Sequence, residues 1–238
     1  MDLKYKTALV TGGTKGIGLA IAKALVQEGL KVAITGRSDS SIKEALESFS
    51  PDERENVLGL VADVSSMDQM NSVTQSIEQK WGPISVLIAN AGIGHFATIE
   101  HLTAEEWNET IDVNLTGVFN SVKSCIPSLK ESKGYIITIA SLAGTNFFSK
   151  GAAYNASKFG LVGFTQAIML DLREYDIKCT TIMPGSVATY FNHNIPSEKD
   201  AWKIQSEDIA QMVVDLLNMP QRTLPSKIEV RPLRPPKK

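Results

Sequence analysis

Cysteine is nearly absent from this chain of 238 residues, which has only Cys125 and Cys179. Two thiols make no disulfide framework, so a core must hold the fold, and both read as reduced, buried thiols of a cytoplasmic protein. Histidine is almost as scarce. His95, His101 and His193 are scattered without metal-ligand spacing, which excludes a recognisable metal site and makes them loop or surface residues. Charge of one sign is lacking too: a formal net charge of −2 gives no electrostatic footprint for nucleic acid or an anionic membrane. No run approaches the roughly 20 apolar residues that a membrane span needs, and Met1-Asp2-Leu3-Lys4-Tyr5 carries no apolar signal segment. These absences describe a soluble, cytoplasmic protein that meets small molecules.

What is present is an alternation of short apolar runs and longer amphipathic ones. Strands are expected at 7–11, 31–35, 57–62, 84–89, 134–140, 177–183 and 228–231, and helices near 17–28, 40–48, 66–80, 104–130, 153–174 and 206–218. Ala8-Leu9-Val10 and Val86-Leu87-Ile88-Ala89 are apolar throughout, as strands are when helices cover both faces of a parallel sheet. The pattern predicts a single α/β domain over 1–238, with a doubly wound parallel sheet and right-handed crossovers. Three long loops, 90–103, 141–152 and 184–205, each follow a strand. In such sheets ligands sit outside the carboxyl ends of the strands, so these are the expected substrate loops. The tail, Arg231-Pro232-Leu233-Arg234-Pro235-Pro236-Lys237-Lys238, reads as frayed and solvated.

Two groups of residues carry chemistry. The first is Thr11-Gly12-Gly13-Thr14-Lys15-Gly16-Ile17-Gly18, between the first strand and the first helix. Glycines there allow a tight turn, close approach of a pyrophosphate to bare backbone, and close helix–strand contact, while the helix N-terminus offers unpaired N–H groups. The spacing is Gly-x-x-x-Gly-x-Gly and no Gly-Lys-Ser/Thr follows, so it is not a P-loop. The bland alternative is a tight turn alone. An acid after the second strand would hold the ribose 2′-OH of NAD. Here that strand ends in Ile34-Thr35-Gly36-Arg37-Ser38, and Asp39 comes late. Arg37 and Lys15 together favour the 2′-phosphate of NADP(H) over NAD(H).

The second group is Ser141, Tyr154 and Lys158. Tyr154 and Lys158 are four apart and share one helix face. A free tyrosine has a pKa near 10, and a neighbouring ammonium should lower it toward useful proton transfer. Tyr-x-x-x-Lys alone can be a surface pair, and Ser141 alone a helix cap. Together they place a hydroxyl at a strand's carboxyl end, where it can hold a substrate oxygen. Asn114 interrupts an apolar helical pattern and needs a partner, either a polar core network or a water relay behind Lys158. Asn90-Ala91-Gly92 gives small residues after the fourth strand, as a ligand-contacting segment or simply a turn. Phe96, Phe147, Phe148, Tyr190 and Phe191 lie in the loops and either line an apolar pocket or pack the loops down; His95 and His193 also lie there.

These residues resemble the short-chain dehydrogenase/reductase family. The resemblance rests on Thr11-Gly12-x-x-x-Gly16-Ile17-Gly18, Asp63-Val64, Asn90-Ala91-Gly92, Asn114, Ser141, Tyr154-x-x-x-Lys158 and Pro184-Gly185-x-Val187-x-Thr189, in family order. It implies a Rossmann-type sheet of seven strands in the order 3-2-1-4-5-6-7. It implies Tyr154 as acid/base, Ser141 orienting the carbonyl, Lys158 binding the ribose and lowering the Tyr154 pKa, and Asn114 supporting a proton relay. Asp63 would meet the adenine, Asn90 the ribose, and Pro184 to Thr189 the carboxamide of the nicotinamide. It further implies a homo-oligomer, dimer or tetramer. The expected function is an NADPH-dependent carbonyl reductase, reversible as an alcohol dehydrogenase, acting on small to medium ketones, aldehydes or 3-oxo compounds. The alternatives are a 3-oxoacyl-[acyl-carrier-protein] reductase and, from another class, a non-catalytic NADP-binding sensor. The short 184–205 segment, and the ending Ser226-Lys227-Ile228-Glu229-Val230-Arg231-Pro232 in place of the Val-Asp-Gly-Gly of acyl-carrier reductases, favour the first.

Overall fold

A computed structural model describes residues 5–235 of the chain. The elements in order are β1 (Thr7–Val10), α1 (Gly16–Gln27), β2 (Lys31–Gly36), α2 (Asp39–Glu47), α3 (Pro51–Arg54), β3 (Val57–Val61), α4 (Met67–Trp81), β4 (Val86–Ala89), α5 (Ala104–Ile111), α6 (Gly117–Ser132), β5 (Tyr135–Ile139), α7 (Ala152–Leu172), β6 (Lys178–Pro184), α8 (Ser206–Asn218) and β7 (Lys227–Val230). The seven strands form one sheet in the order β3-β2-β1-β4-β5-β6-β7, and all neighbours are parallel. The expected sheet and strand order are both present.

Side chains alternate between the two faces along each strand, as the pleat requires. Ala8 and Val10, Val86 and Ile88, and Ile137 and Ile139 join one cluster with Ile21, Leu25 and Val213 of α1 and α8. Leu9, Leu87 and Ile136 join the other with Met70, Val122 and Leu161 of α4, α6 and α7. Leu9 and Leu87 are fully buried, each contributing on the order of 2 kcal/mol by leaving water. Burial on both faces is why these strands are apolar throughout rather than alternating. Among the described residues, no helix is long and apolar enough to cross a membrane.

Helix starts follow local chemistry. Ser38, Ser50, Ser66 and Thr103 each accept a backbone N–H of the first turn of α2, α3, α4 and α5, and at α3 and α5 a glutamate completes a capping box. The short helix α3 lies outside the expected elements. The segment expected as one helix over 104–130 is interrupted: Asp112–Thr116 forms a turn of π-helix between α5 and α6. The fourth strand begins at Val86 rather than at 84, preceded by Ser85, whose backbone N–H donates to Thr7 O and whose carbonyl accepts from Tyr135 N. The Ser85 hydroxyl accepts from Lys6 N and Thr7 N and donates to Thr7 O.

Candidate active site

The carboxyl ends of the strands open into a cleft of about 1390 Å³. The glycine-rich turn forms one end. Gly12 has a φ of +62°, a conformation that disfavours any side chain. A Cβ on Gly18 would run into the carbonyl oxygen of Gly12 and lie 2.5 Å from Asn90 Nδ2. The turn is braced from two sides. Gly13 N donates to Thr35 O (3.0 Å), and Asn90 Nδ2 donates to Thr11 O (3.0 Å) and Gly12 O (3.1 Å). Thr11 Oγ1 accepts from the backbone N–H of Asn90 and Ala91. Thr11, the first residue of the motif, thus ties β1 to the segment after β4.

Helix α1 starts differently from α2 to α5. Lys15 at its N-cap makes no side-chain cap, and no acid stands in its first turn. Its first N–H groups and the positive end of its dipole face the glycine turn, which is the environment that binds a phosphate. Thr14, Lys15, Gly16 and Ile17 line the cleft here, and Gly16 lies beside Thr189. Arg37 at the end of β2, and Asp63 and Val64 after β3, line the same end. Asp63 Oδ1 accepts from Ser65 N and Ser65 Oγ, which fixes the carboxylate. Asn90, Ala91, Gly92, Pro184, Gly185, Val187 and Thr189 complete the floor and far wall. An elongated, glycine-cradled cleft with a free helix N-terminus and two cations fits a nicotinamide dinucleotide.

Ser141, at the end of β5, and Tyr154 and Lys158, on α7, meet in the middle of the cleft. Burial pushes the Tyr154 hydroxyl above its ordinary pKa, against the downward pull of a hydrogen bond to Ser141. Lys158 is buried, donates Nζ to Ile139 O (3.1 Å) and lies 5.7 Å from the centre of the Tyr154 ring. Burial lowers its pKa to about 8. Desolvation acts on both groups in the same sense, disfavouring their charged forms.

Of the expected site residues, Asn114 alone does not line the cleft. It sits in the π turn, fully buried. Its Oδ1 accepts from Ile93 N (2.8 Å), and its Nδ2 donates to Ile93 O (2.9 Å) and Ser157 Oγ (3.0 Å). Ser157 in turn donates to Tyr154 O (2.8 Å). A Cβ on Gly92 would lie 3.3 Å from Asn114 Oδ1 and 3.6 Å from Lys158 Nζ, so the space left by the missing side chain borders both the amide and the lysine. The π turn re-aims the Asn114 side chain out of the helix and toward loop 90–103.

Two site features escaped the sequence reading. Asn155 donates to Ala143 O (2.7 Å) and Asn146 O (2.8 Å), pinning loop 141–152 to α7. The tail is the second. Arg231, Pro232 and Pro235 line the cleft, although of residues 231–235 only Pro232 is not exposed. Gly185 N donates to Val230 O, so the β6–β7 pairing runs to the strand ends and carries the tail over Gly185. Pro236, Lys237 and Lys238 lie outside the described residues, as does the His193 side chain.

Among the loop aromatics, Phe147, Phe148, Tyr190 and Phe191 line the cleft, whereas Phe96 does not. Phe96 packs behind it, its ring centre 5.4 Å from Tyr154, 5.9 Å from Phe148 and 6.4 Å from Phe191. Segment 184–205 folds back on itself through Ala188 N to Ile204 O and Ile204 N to Ser186 O. His95 bonds Glu109, and among the described residues no group of His, Cys, Asp and Glu is arranged to hold a metal ion.

Residues 6–200 match the family model described as short chain dehydrogenase. An uncharacterized oxidoreductase of Staphylococcus saprophyticus is 31% identical over 98% of this chain and 100% of its own. An alcohol dehydrogenase of the archaeon Thermococcus sibiricus, solved with 5-hydroxy-NADP, superimposes with a TM-score of 0.90 at 28% identity, covering 98% of this chain and 99% of that one. A 3-ketoacyl-(acyl-carrier-protein) reductase of Brucella melitensis, solved with NADH, does so with a TM-score of 0.86 at 25% identity, covering 96% and 98%. The chain belongs to the short-chain dehydrogenase family and is an NAD(P)-dependent oxidoreductase acting on CH–OH groups.

Proposed function

We propose that the protein is an NADPH-dependent carbonyl reductase, reversible as an alcohol dehydrogenase, for small to medium ketones, aldehydes or 3-oxo compounds. The observation that carries this reading is the convergence of Ser141, Tyr154 and Lys158 on one cleft. A nicotinamide held by the glycine turn and by Pro184 to Thr189 would supply or accept the hydride. Ser141 holds the substrate oxygen by a hydrogen bond that strengthens as charge develops on it. Tyr154 donates its phenolic proton to that oxygen in reduction and removes it in oxidation. Lys158, near 8 when buried, stabilises the phenolate left behind and is placed to reach the ribose. Asn114 positions Tyr154 through Ser157.

Arg37 and Lys15 at the adenosine end, with no acid at the end of β2, support NADP(H) as the preferred cofactor. The likeness to an enzyme solved with NADP supports it as well. The 2′-phosphate would meet the Arg37 guanidinium in a charge-assisted fork. Exposed Phe119, Phe159 and Leu170 on α6 and α7 support a homo-oligomer, and the two free buried cysteines a reducing cytoplasm. The domain reading remains one unit over 1–238.

The likeness to the Brucella reductase favours a second reading, an acyl-carrier substrate. Charge at the cleft argues against it. Arg231 pairs with Glu229 (2.9 Å) and Lys203 with Asp200 (2.6 Å), so neither cation adds to a basic patch for an acidic carrier. Comparing kcat/KM for a short free 3-oxo ester with that for its carrier-bound form tests the choice. A carrier-bound substrate preferred about a hundredfold or more, beyond what a few methylenes supply, would replace the first reading with the second.

A further inference from the structure

Arg37 follows β2 and His95 lies in the loop after β4, yet both bind one carboxylate. Glu109 on α5 places Oε1 3.5 Å from an Arg37 guanidinium nitrogen and Oε2 2.8 Å from His95 Nε2. All three residues line the cleft. The position of Glu109 is held rather than sampled, because His95 fixes its second oxygen and the Thr103–Glu106 capping box fixes the first turn of its helix. No sequence motif marks Glu109, and it stands far in sequence from the turn after β2 that it contacts.

We propose that Glu109 is a specificity-determining residue for the cofactor, an internal anion that occupies Arg37 and competes with the 2′-phosphate. This rests on the reading that Arg37 takes that phosphate. A phosphate carrying nearly two negative charges must either displace Glu109 from the guanidinium or share it with a carboxylate a few ångströms away. Both routes lower the affinity for NADPH. NADH brings only a 2′-hydroxyl and meets neither cost. Glu109 therefore narrows the preference that Arg37 and Lys15 create, and keeps NADPH exchangeable. The pair is partly exposed (side chains 64% and 47%), so the effect is screened and modest.

The test is a fluorescence titration of NADPH and of NADH against the wild type, Glu109→Gln, Arg37→Gln and the double variant. Glutamine keeps the shape and the contact with His95 but removes the charge. Glu109→Gln should tighten NADPH about three- to tenfold, the range for losing an exposed ion pair plus a like-charge contact, and leave NADH unchanged. In the Arg37→Gln background the gain should vanish. Equal changes for both cofactors would show a merely structural role, and weaker NADPH binding would show that Glu109 helps Arg37; either result overturns the proposal. If Arg37→Gln does not weaken NADPH selectively, the reading of Arg37 fails first. If it does, and Glu109→Gln leaves the NADPH/NADH ratio unchanged, only the role of Glu109 fails.

Discussion

Replacing Asn114 with alanine removes one buried amide that serves three hydrogen bonds. Two of its partners are the N–H and C=O of Ile93, which is half-buried, and the third is the hydroxyl of Ser157, which is fully buried. Ser157 keeps its bond to Tyr154 O, so only its acceptor side is orphaned. An unsatisfied buried group costs about 1–3 kcal/mol, and water can reach the partly exposed Ile93 pair. The sum is about 2–4 kcal/mol of stability. At about 2–4 °C per kcal/mol for a chain of this size, the melting temperature should fall roughly 5–15 °C, and kcat should fall with it as Ser157, which braces Tyr154, loses its own anchor. Asn114→Asp keeps the acceptor for Ile93 N but turns an oxygen toward Ile93 O. It must be protonated to fit, so its pKa is raised in the folded state and its deficit should shrink as pH falls. Melting followed by circular dichroism, at one heating rate and two pH values, measures both. An Asn114→Ala protein melting within about one degree of wild type would refute the idea that this amide holds the π turn to loop 90–103.

Lys158→Met should abolish most activity yet raise the melting temperature at pH 7. The folded pKa of Lys158, about 8, lies below that of the unfolded chain, so the buried charge destabilises most below pH 8 and the penalty fades as pH rises toward 10. The stability gain of the methionine should fade over the same window, and a gain that grows with pH would contradict the assignment. Arg37→Asp should erase or reverse the preference for NADPH, since an acid repels the phosphate and accepts from a 2′-hydroxyl; equal wild-type affinities for NADPH and NADH in the same titration would show that Arg37 and Lys15 are only solvated cations. Gly18→Ala should weaken folding by about 1–3 kcal/mol through overpacking against Gly12 O and Asn90, and thermal melts unchanged from wild type would show that the turn yields.

Legibility differed by element for physical reasons. Strands buried on both faces, such as β1 and β4, declare themselves as apolar runs, and their ends fall within a residue or two of the expected bounds. The glycine turn, Ser141, Tyr154 and Lys158 were legible because each chemistry restricts the residue type. The π turn at Asp112–Thr116 was not, since one inserted residue leaves the apolar periodicity of 104–130 nearly unchanged; the only trace was an asparagine in an apolar stripe. Glu109 was hidden among the acids of an exposed helix, and its meaning depends on where β2 ends in space. That the tail borders the cleft was not legible, because the pairing of Gly185 with Val230 that places it there joins residues distant in sequence. Helix α3 was overlooked, although Ser50, Pro51 and Glu53 spell a capping box.

The central claim is that Tyr154 transfers the proton. The most direct measurement is the steady-state rate of NADPH oxidation, followed at 340 nm, with a ketone that the wild type reduces, beside the affinity of Tyr154→Phe for NADPH. Phenylalanine keeps the ring against Phe96 and Phe191 and removes only the hydroxyl. The account predicts a folded protein with cofactor affinity close to that of the wild type and a kcat lower by at least about a hundredfold, the lower range for loss of a positioned acid. A folded Tyr154→Phe protein that keeps its full rate would contradict it.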